Sequence, residues 1–158
     1  MRWILPGLAI CFMLFSCDPN RVYEDNANLH NGIWRADSAK FFHFRIDNPN
    51  LEYNIYFNVR NGIEFPHSNL YIKYILQDSI GHPLEEELKN VQLFQPKSGY
   101  PLGSGTGDLF EHQFNLLKNY HFSSAGKYYL GVEQFMRYDS LPEIYSVGIR
   151  IEKCRNIN

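Results

Sequence analysis

Cys17 is the residue whose setting most clearly implies chemistry. It closes Leu14-Phe15-Ser16-Cys17 after a charge-free run from Trp3, and Arg2 supplies one positive charge at the start. A short apolar segment with a basic start and a small-residue end reads as a secretory signal, not a membrane span. Leu-x-Ser-Cys also matches the bacterial lipobox, in which the thiol takes a diacylglycerol and becomes the first residue of the mature chain. The spacing therefore predicts a signal peptide over 1–16 and lipid on Cys17, although Phe15 is bulkier than the lipobox usually carries. An ordinary cleaved signal or an uncleaved anchor is the alternative.

Other reactive residue types lack supporting patterns. Gly103-Ser-Gly-Thr-Gly107 has the look of a phosphate-cradling loop, but such a loop needs a preceding strand, a following helix and a Gly-Lys-Ser/Thr ending. A flexible surface loop fits better, and Gly99, Tyr100, Gly103, Gly105 and Gly107 mark it as the candidate partner-binding loop. The six histidines show no His-x-His or His-x-x-x-His spacing, so no metal is expected, and His43 and His112 read as surface residues of strands. There is no Gly-x-Ser-x-Gly elbow. Cys154 stands alone once Cys11 leaves and Cys17 is acylated, so no internal disulfide and no reactive role are expected. Asp47 and Asp139 are the carboxylates to inspect for glycosidase chemistry, with turn and capping roles as the simpler reading. Trp34, Tyr53, Tyr56, Tyr100 and Tyr145 could form a sugar-stacking platform, or simply be core.

Composition bounds the rest. The chain has 158 residues, enough after removal of 1–16 for one domain with a real core, and aromatics make up 16%. Its net charge is −2 and becomes one unit more negative without Arg2, so charge makes no case for nucleic acid or for an anionic membrane surface.

The elements that must position these residues read as strands. Residues 17–31 are polar and read as a lipidated N-terminus and spacer, with the folded domain over 32–158. Phe42, Phe44 and Ile46 alternate, as do Leu51, Tyr53, Ile55, Phe57 and Val59, and then Leu70, Ile72, Tyr74 and Leu76. Glu85-Glu86-Glu87 reads as a solvated face, Val91 and Leu93 as a short strand, and 99–107 as the longest irregular stretch. Two readings compete for 108–119, a capped helix or a strand through Phe110, His112, Phe114 and Leu116; its neighbours favour the strand. Tyr128, Leu130, Val132, Gln134 and Met136 share one side, and Tyr145, Val147, Ile149 and Ile151 close the chain. Recurring strands without helix-length connections predict an all-β fold, one antiparallel β-sandwich of immunoglobulin-like or jelly-roll type.

Assembled, the pattern resembles the gliding-motility lipoprotein GldH family of the Bacteroidetes. The resemblance rests on Cys17-Asp18, Arg21-Val-Tyr-Glu24, Trp34, Phe42-x-Phe44, Ile46-Asp47 and Tyr53-Asn-Ile-Tyr-Phe-Asn-Val-Arg60-Asn61. It continues through Phe65-Pro66, Asn69-Leu-Tyr71, Gly103-x-Gly105-x-Gly107, Gly126-x-Tyr128, Gln134-x-Met-Arg137, Leu141 and Gly148-Ile-Arg-Ile-Glu-Lys153. Tyr100 departs from it, since the family pattern carries Trp before the glycine-rich loop. The resemblance implies a non-enzymatic lipoprotein required for gliding, held on the extracytoplasmic side of the envelope at the outer membrane. Its implied partners are the lipid bilayer and proteins of the type IX secretion and gliding machinery. No nucleic acid or small-molecule cofactor is expected. It supplies no catalytic residue; Trp34, Arg60, Asn61, Asn69 and Arg137 are its candidate motif residues. Arg60 and Arg137, following strands, are expected to be partly buried. A lipid-anchored glycan-binding module is the alternative.

Overall fold

A computed structural model describes residues 18–154, so Cys17 and the expected signal segment lie outside the described residues. The chain runs through β1 (Arg21–Asn28), a 3-10 turn (His30–Gly32), β2 (Trp34–Arg35), β3 (Lys40–Ile46), β4 (Glu52–Gly62), β5 (Asn69–Asp78) and β6 (Pro83–Gln92). It continues through β7 (Ser104–Thr106), β8 (Leu109–His121), β9 (Gly126–Gln134), β10 (Ser140–Leu141) and β11 (Ile144–Lys153). One sheet has the order β1-β11-β4-β8-β7 and the second β3-β9-β5-β6; β10 and β2 form a small ribbon. Every pairing is antiparallel, and the fold is the expected all-β sandwich.

Alternation explains the core. Successive side chains of a strand point to opposite faces, so the odd residues Tyr53 to Val59 of β4 enter the interior and Asn54 to Asn58 face out. Facing them across the sandwich are Phe42, Phe44, Leu70, Ile72, Tyr128 and Leu130, all buried. Aromatic contacts knit the layers: Tyr23 meets Phe44 at 5.9 Å, and Phe122 packs on Phe44, Tyr53 and Tyr128. The segment 109–121 is a strand, as its neighbours favour.

Three expectations change, and one that holds gains a place in the fold. Residues 21–28 are not spacer; they form β1, hydrogen-bonded along β11 from Arg21–Glu152 to Asn28–Ser146. The cause lies far off in sequence. Arg150 of β11 pairs with Asp18, with Glu24 at 3.2 Å and with Glu152 at 2.5 Å, drawing the polar N-terminal segment onto the sheet. Burial works against the Arg150 charge, yet these carboxylates hold its pKa above the usual value. Second, Glu85 to Glu87 are solvated as expected but belong to edge strand β6, where charge discourages pairing with another chain. Third, Tyr145 does not join the inward set. The register against β4 slips between Ile144 and Ser146, which turns Ile144 inward and Tyr145 outward. Fourth, 99–107 is more ordered than expected, with Phe94 bridging Pro101 and β7 pairing β8.

Candidate functional site

The sandwich has two ends. At one lie Asp18, the 47–51, 79–82 and 122–125 turns and the close of β11. The opposite end gathers the connections 29–39, 63–68, 93–103 and 135–143. The candidate loop belongs to this second end.

Local sequence builds the loop as two successive tight turns. The N–H groups of Leu93 and Phe94 both donate to the Ser68 carbonyl at 2.9 Å. Gln95 N–H reaches the Tyr100 carbonyl at 2.7 Å, and Gly99 N–H returns to the Gln95 carbonyl at 2.8 Å. Leu102 N–H closes the hairpin on the Leu93 carbonyl at 2.9 Å. Tyr100, 73% exposed, follows the 96–98 turn of this hairpin, two residues before an exposed Leu102. Gly103 serves packing: a Cβ there would lie 2.6 Å from the Glu111 carbonyl oxygen and 2.7 Å from His112 Nε2. Gly105 sits in β7, and Gly107 (φ +70°) makes the β7–β8 turn in a conformation that glycine adopts without strain. None of this cradles a phosphate.

The connections at this end carry exposed apolar side chains: Ile33, Ile63, Phe135 and Tyr138, besides Tyr100 and Leu102. His67 links the rings of Phe65 and Tyr138, at 5.5 and 5.0 Å. Beneath them the interior is imperfectly paired. Asn61 is fully buried; its Nδ2 donates to the Gly62 carbonyl at 2.9 Å while Oδ1 has no partner among the described residues. His112, expected on the surface, is 7% exposed and its Nε2 is also unpartnered. It lies opposite Val59, on the inward face of the sheet, and burial lowers its pKa to about 4.

The remaining motif residues divide. Trp34 is wholly buried, stacks with Phe57 at 6.4 Å and donates its indole N–H to the Ser38 carbonyl at 3.1 Å. Asn69 pairs Asn90 across β5 and β6 at 2.7 Å. Arg60 and Arg137 are exposed, against expectation. Arg60 falls on the outward face of β4, 3.8 Å from Glu111, and Arg137 follows the end of β9 on a surface connection. Sequence reasoning missed Arg150, although it stands inside the quoted Gly148–Lys153 motif; the acidic Asp18 and Glu24 of the N-terminal motif were the available signal.

Two further constellations come apart. Asp47 follows β3 at the Asp18 end, while Asp139 precedes β10 at the other, so these carboxylates do not face one another. The five aromatics form no shared platform: Trp34 and Tyr53 are core, and Tyr56 faces out from β4. Outside the five-stranded sheet lies a polar hollow of about 440 Å³, lined by Asn26, Asn58, Arg60, Glu111, Gln113 and Ser146 among others. Gln113 Nε2 donates to Asn58 Oδ1 at 3.0 Å across its floor. Among the described residues no cluster of His, Cys, Asp and Glu converges as a metal site. Cys154 is half-buried with its thiol directed at Asn119 Oδ1, and burial raises its pKa.

Known proteins can be set beside this geometry. Residues 21–151 match the model of the GldH lipoprotein family. A gliding motility lipoprotein GldH homolog of Christiangramia forsetii is 32% identical over 150 residues, covering 89% of each chain. The gliding motility lipoprotein GldH of Flavobacterium johnsoniae is 27% identical over 153 residues, covering 92% of this chain and 93% of its own. Among solved structures, a cleaved adhesin domain of Lys-gingipain from Porphyromonas gingivalis aligns over 84% of this chain at 11% identity, with a TM-score of 0.36. The family match takes in both the ion-paired N-terminal strand and the closing strand that receives it, and the chain belongs to the GldH gliding-motility lipoprotein family.

Proposed function

We propose that this gliding-motility lipoprotein works by holding other envelope proteins, without turnover, through the end that carries Tyr100. The observation that supports this reading is the concentration of exposed apolar side chains on that end, above two buried polar atoms without partners. Aromatic and aliphatic side chains held out by ordered backbone are what protein interfaces bury. In this reading the lipid sits on Cys17, the membrane is the outer one, and the partners are components of the type IX secretion and gliding apparatus. Tethering both binding members to one membrane raises their effective concentration, so a modest contact surface suffices.

Complementation tests it. A strain lacking the chain is expected to lose spreading and to secrete adhesins poorly, and wild type restores both. Cys17→Ala restores them weakly, because the domain leaves the membrane. Normal gliding without the chain, or full rescue by a soluble form lacking residues 95–107, would defeat the proposal.

A glycan-binding role has one observation in its favour, the amide-lined hollow beside Arg60, whose groups suit hydroxyl recognition. Burial of Trp34 and Tyr53 counts against it, since the stacking faces are occupied by the core. Binding of envelope polysaccharide, lost on Asn58→Ala with Gln113→Ala, would move the function there.

A further inference from the structure

We infer that the Asp18 end of the sandwich rests directly on the phospholipid surface, with Ile80 entering the interfacial layer. The inference rests on Cys17 as the acylated residue.

Chain length decides how far the domain stands from its anchor. A flexible spacer over 18–31 would have a root-mean-square reach of about 20 Å. The structure removes that reach. Only 18–20 precede β1, Asn20 accepts a hydrogen bond from Lys153 N–H at 2.8 Å, and Asp18 is ion-paired to Arg150. Consecutive Cα atoms are about 3.8 Å apart, so an acyl group on Cys17 begins one residue from a fixed point of the fold. The headgroup layer of each leaflet is roughly 5–8 Å thick, comparable to that spacing. The end of the domain beside Asp18 therefore meets the interface; no length remains to lift it clear.

What this end presents fits lipid. Asp78 is in register with Tyr128, which packs with Phe44, and Phe44 meets Tyr23 of β1; beyond that layer the 79–82 turn and Asp18 emerge on the same side. Ile80 at the turn is 82% exposed, the most exposed large apolar side chain among the described residues. It is held there. Asp78 Oδ1 accepts from the N–H groups of Ile80 at 3.0 Å and His82 at 2.9 Å, and Gln77 Nε2 donates to the Gly81 carbonyl at 3.1 Å. A preorganised tip loses little entropy when its side chain leaves water. Lys118, Lys127 and Lys153 lie exposed at the same end and make no ion pair among the described residues, which suits lipid phosphates.

The test uses the full acylated protein in vesicles of phosphatidylethanolamine and phosphatidylglycerol, in a Cys154→Ser background. An environment-sensitive fluorophore is placed on Ile80→Cys or on Tyr100→Cys. The label at 80 is expected to shift to the blue and to be quenched several-fold more by nitroxide-bearing lipid than the label at 100. A flexible Gly-Ser insertion of about ten residues between Cys17 and Asp18, with a reach of roughly 17 Å, should abolish that difference. Acylated protein in which both labels stay equally aqueous overturns the docking while leaving the anchor intact. A mass spectrum of the N-terminal peptide without acyl groups overturns the anchor at Cys17 and the docking with it.

Discussion

At the Asp18 end each turn is tied down by a side chain of its own. Tyr53 Oη donates to the Asn48 carbonyl and Tyr128 Oη to the Ser124 carbonyl, both at 2.7 Å, and Asp78 braces 79–82. At the Tyr100 end the connections are longer; Trp34, Gln92 and Gln134 brace them alongside backbone hydrogen bonds, yet they cover Asn61 Oδ1 and His112 Nε2 without giving either atom a partner among the described residues. An unpaired buried polar group costs about 1–3 kcal/mol. Natural sequences accept such costs more readily where a surface is kept for binding than where it is only closed. In the proposed reading, the difference separates an end closed within the chain from an end that a partner would complete.

The strongest way to erase the comparison is to remove the core that both ends share. Ile55 is fully buried on β4, between Ile151 and Leu117. Ile55→Asp buries an unpaired carboxylate and should cost more than about 4 kcal/mol, abolishing the cooperative transition in thermal melts followed by circular dichroism.

Mild acid should act first at the Tyr100 end. The imidazole of His112 titrates near 4 in the folded protein, against an ordinary 6.5 when unfolded. Its neutral form is therefore favoured by folding: the contribution is complete above pH 6.5 and is lost as pH falls toward 4. The unfolded chain binds the proton first, and the loss reaches about 3 kcal/mol. His112→Leu should flatten the fall in Tm between pH 7 and 4.5. Hydrogen exchange at pH 5 should rise first over 93–112, with the Asp18 end unchanged.

Arg150→Met tests the other end. Three carboxylates lose their shared cation, and the expected cost is about 2 kcal/mol. Exchange should rise over 18–28 while the Tyr100 loop keeps its protection. Equal loosening at both ends would mean that the sandwich responds as one unit and that the contrast has no energetic meaning.

Much of this architecture was legible because a sheet with one wet face leaves period-two alternation. Phe42, Phe44, Tyr53, Ile55, Phe57, Leu70, Ile72, Tyr128, Leu130, Val147 and Ile149 all read as core and all are buried. β1 was not legible. Its pattern is mostly polar, and the cation that helps hold it, on Arg150, is more than a hundred residues away in the chain. Tyr145 defeated the alternation because a bulge inverts the pleat, which local composition does not announce. His112 shows the same limit from the opposite direction: a histidine in a strand looks solvent-facing until its pairing with Val59 fixes the face. The candidate loop was placed by its glycines, yet Gly103 and Gly105 serve close packing on β8 while Gly99 and Gly107 supply positive-φ turn positions. What the sequence could not show is that Tyr100 and Leu102 stand out from an ordered hairpin.

The smallest expected change in stability separates binding from folding. Tyr100→Ala and Leu102→Ser remove exposed side chains whose truncation leaves no interior cavity, so each should change stability by no more than about 0.5 kcal/mol. If the Tyr100 end is the interface, the pair should nonetheless abolish co-purification of envelope partners from detergent-solubilised membranes. Large buried aromatics dominate interfaces, and losing one typically costs 2 kcal/mol or more, roughly thirty-fold in affinity. Ile80→Ser is the matched control at the opposite end, more exposed than Tyr100 or Leu102 and expected to be as harmless to the fold. It should weaken contact with lipid and leave partner capture intact. If Ile80→Ser strips the partners while the Tyr100 and Leu102 variant retains them, the roles assigned to the two ends are reversed. Loss with both would mean that partners grip the body of the sandwich instead of one end.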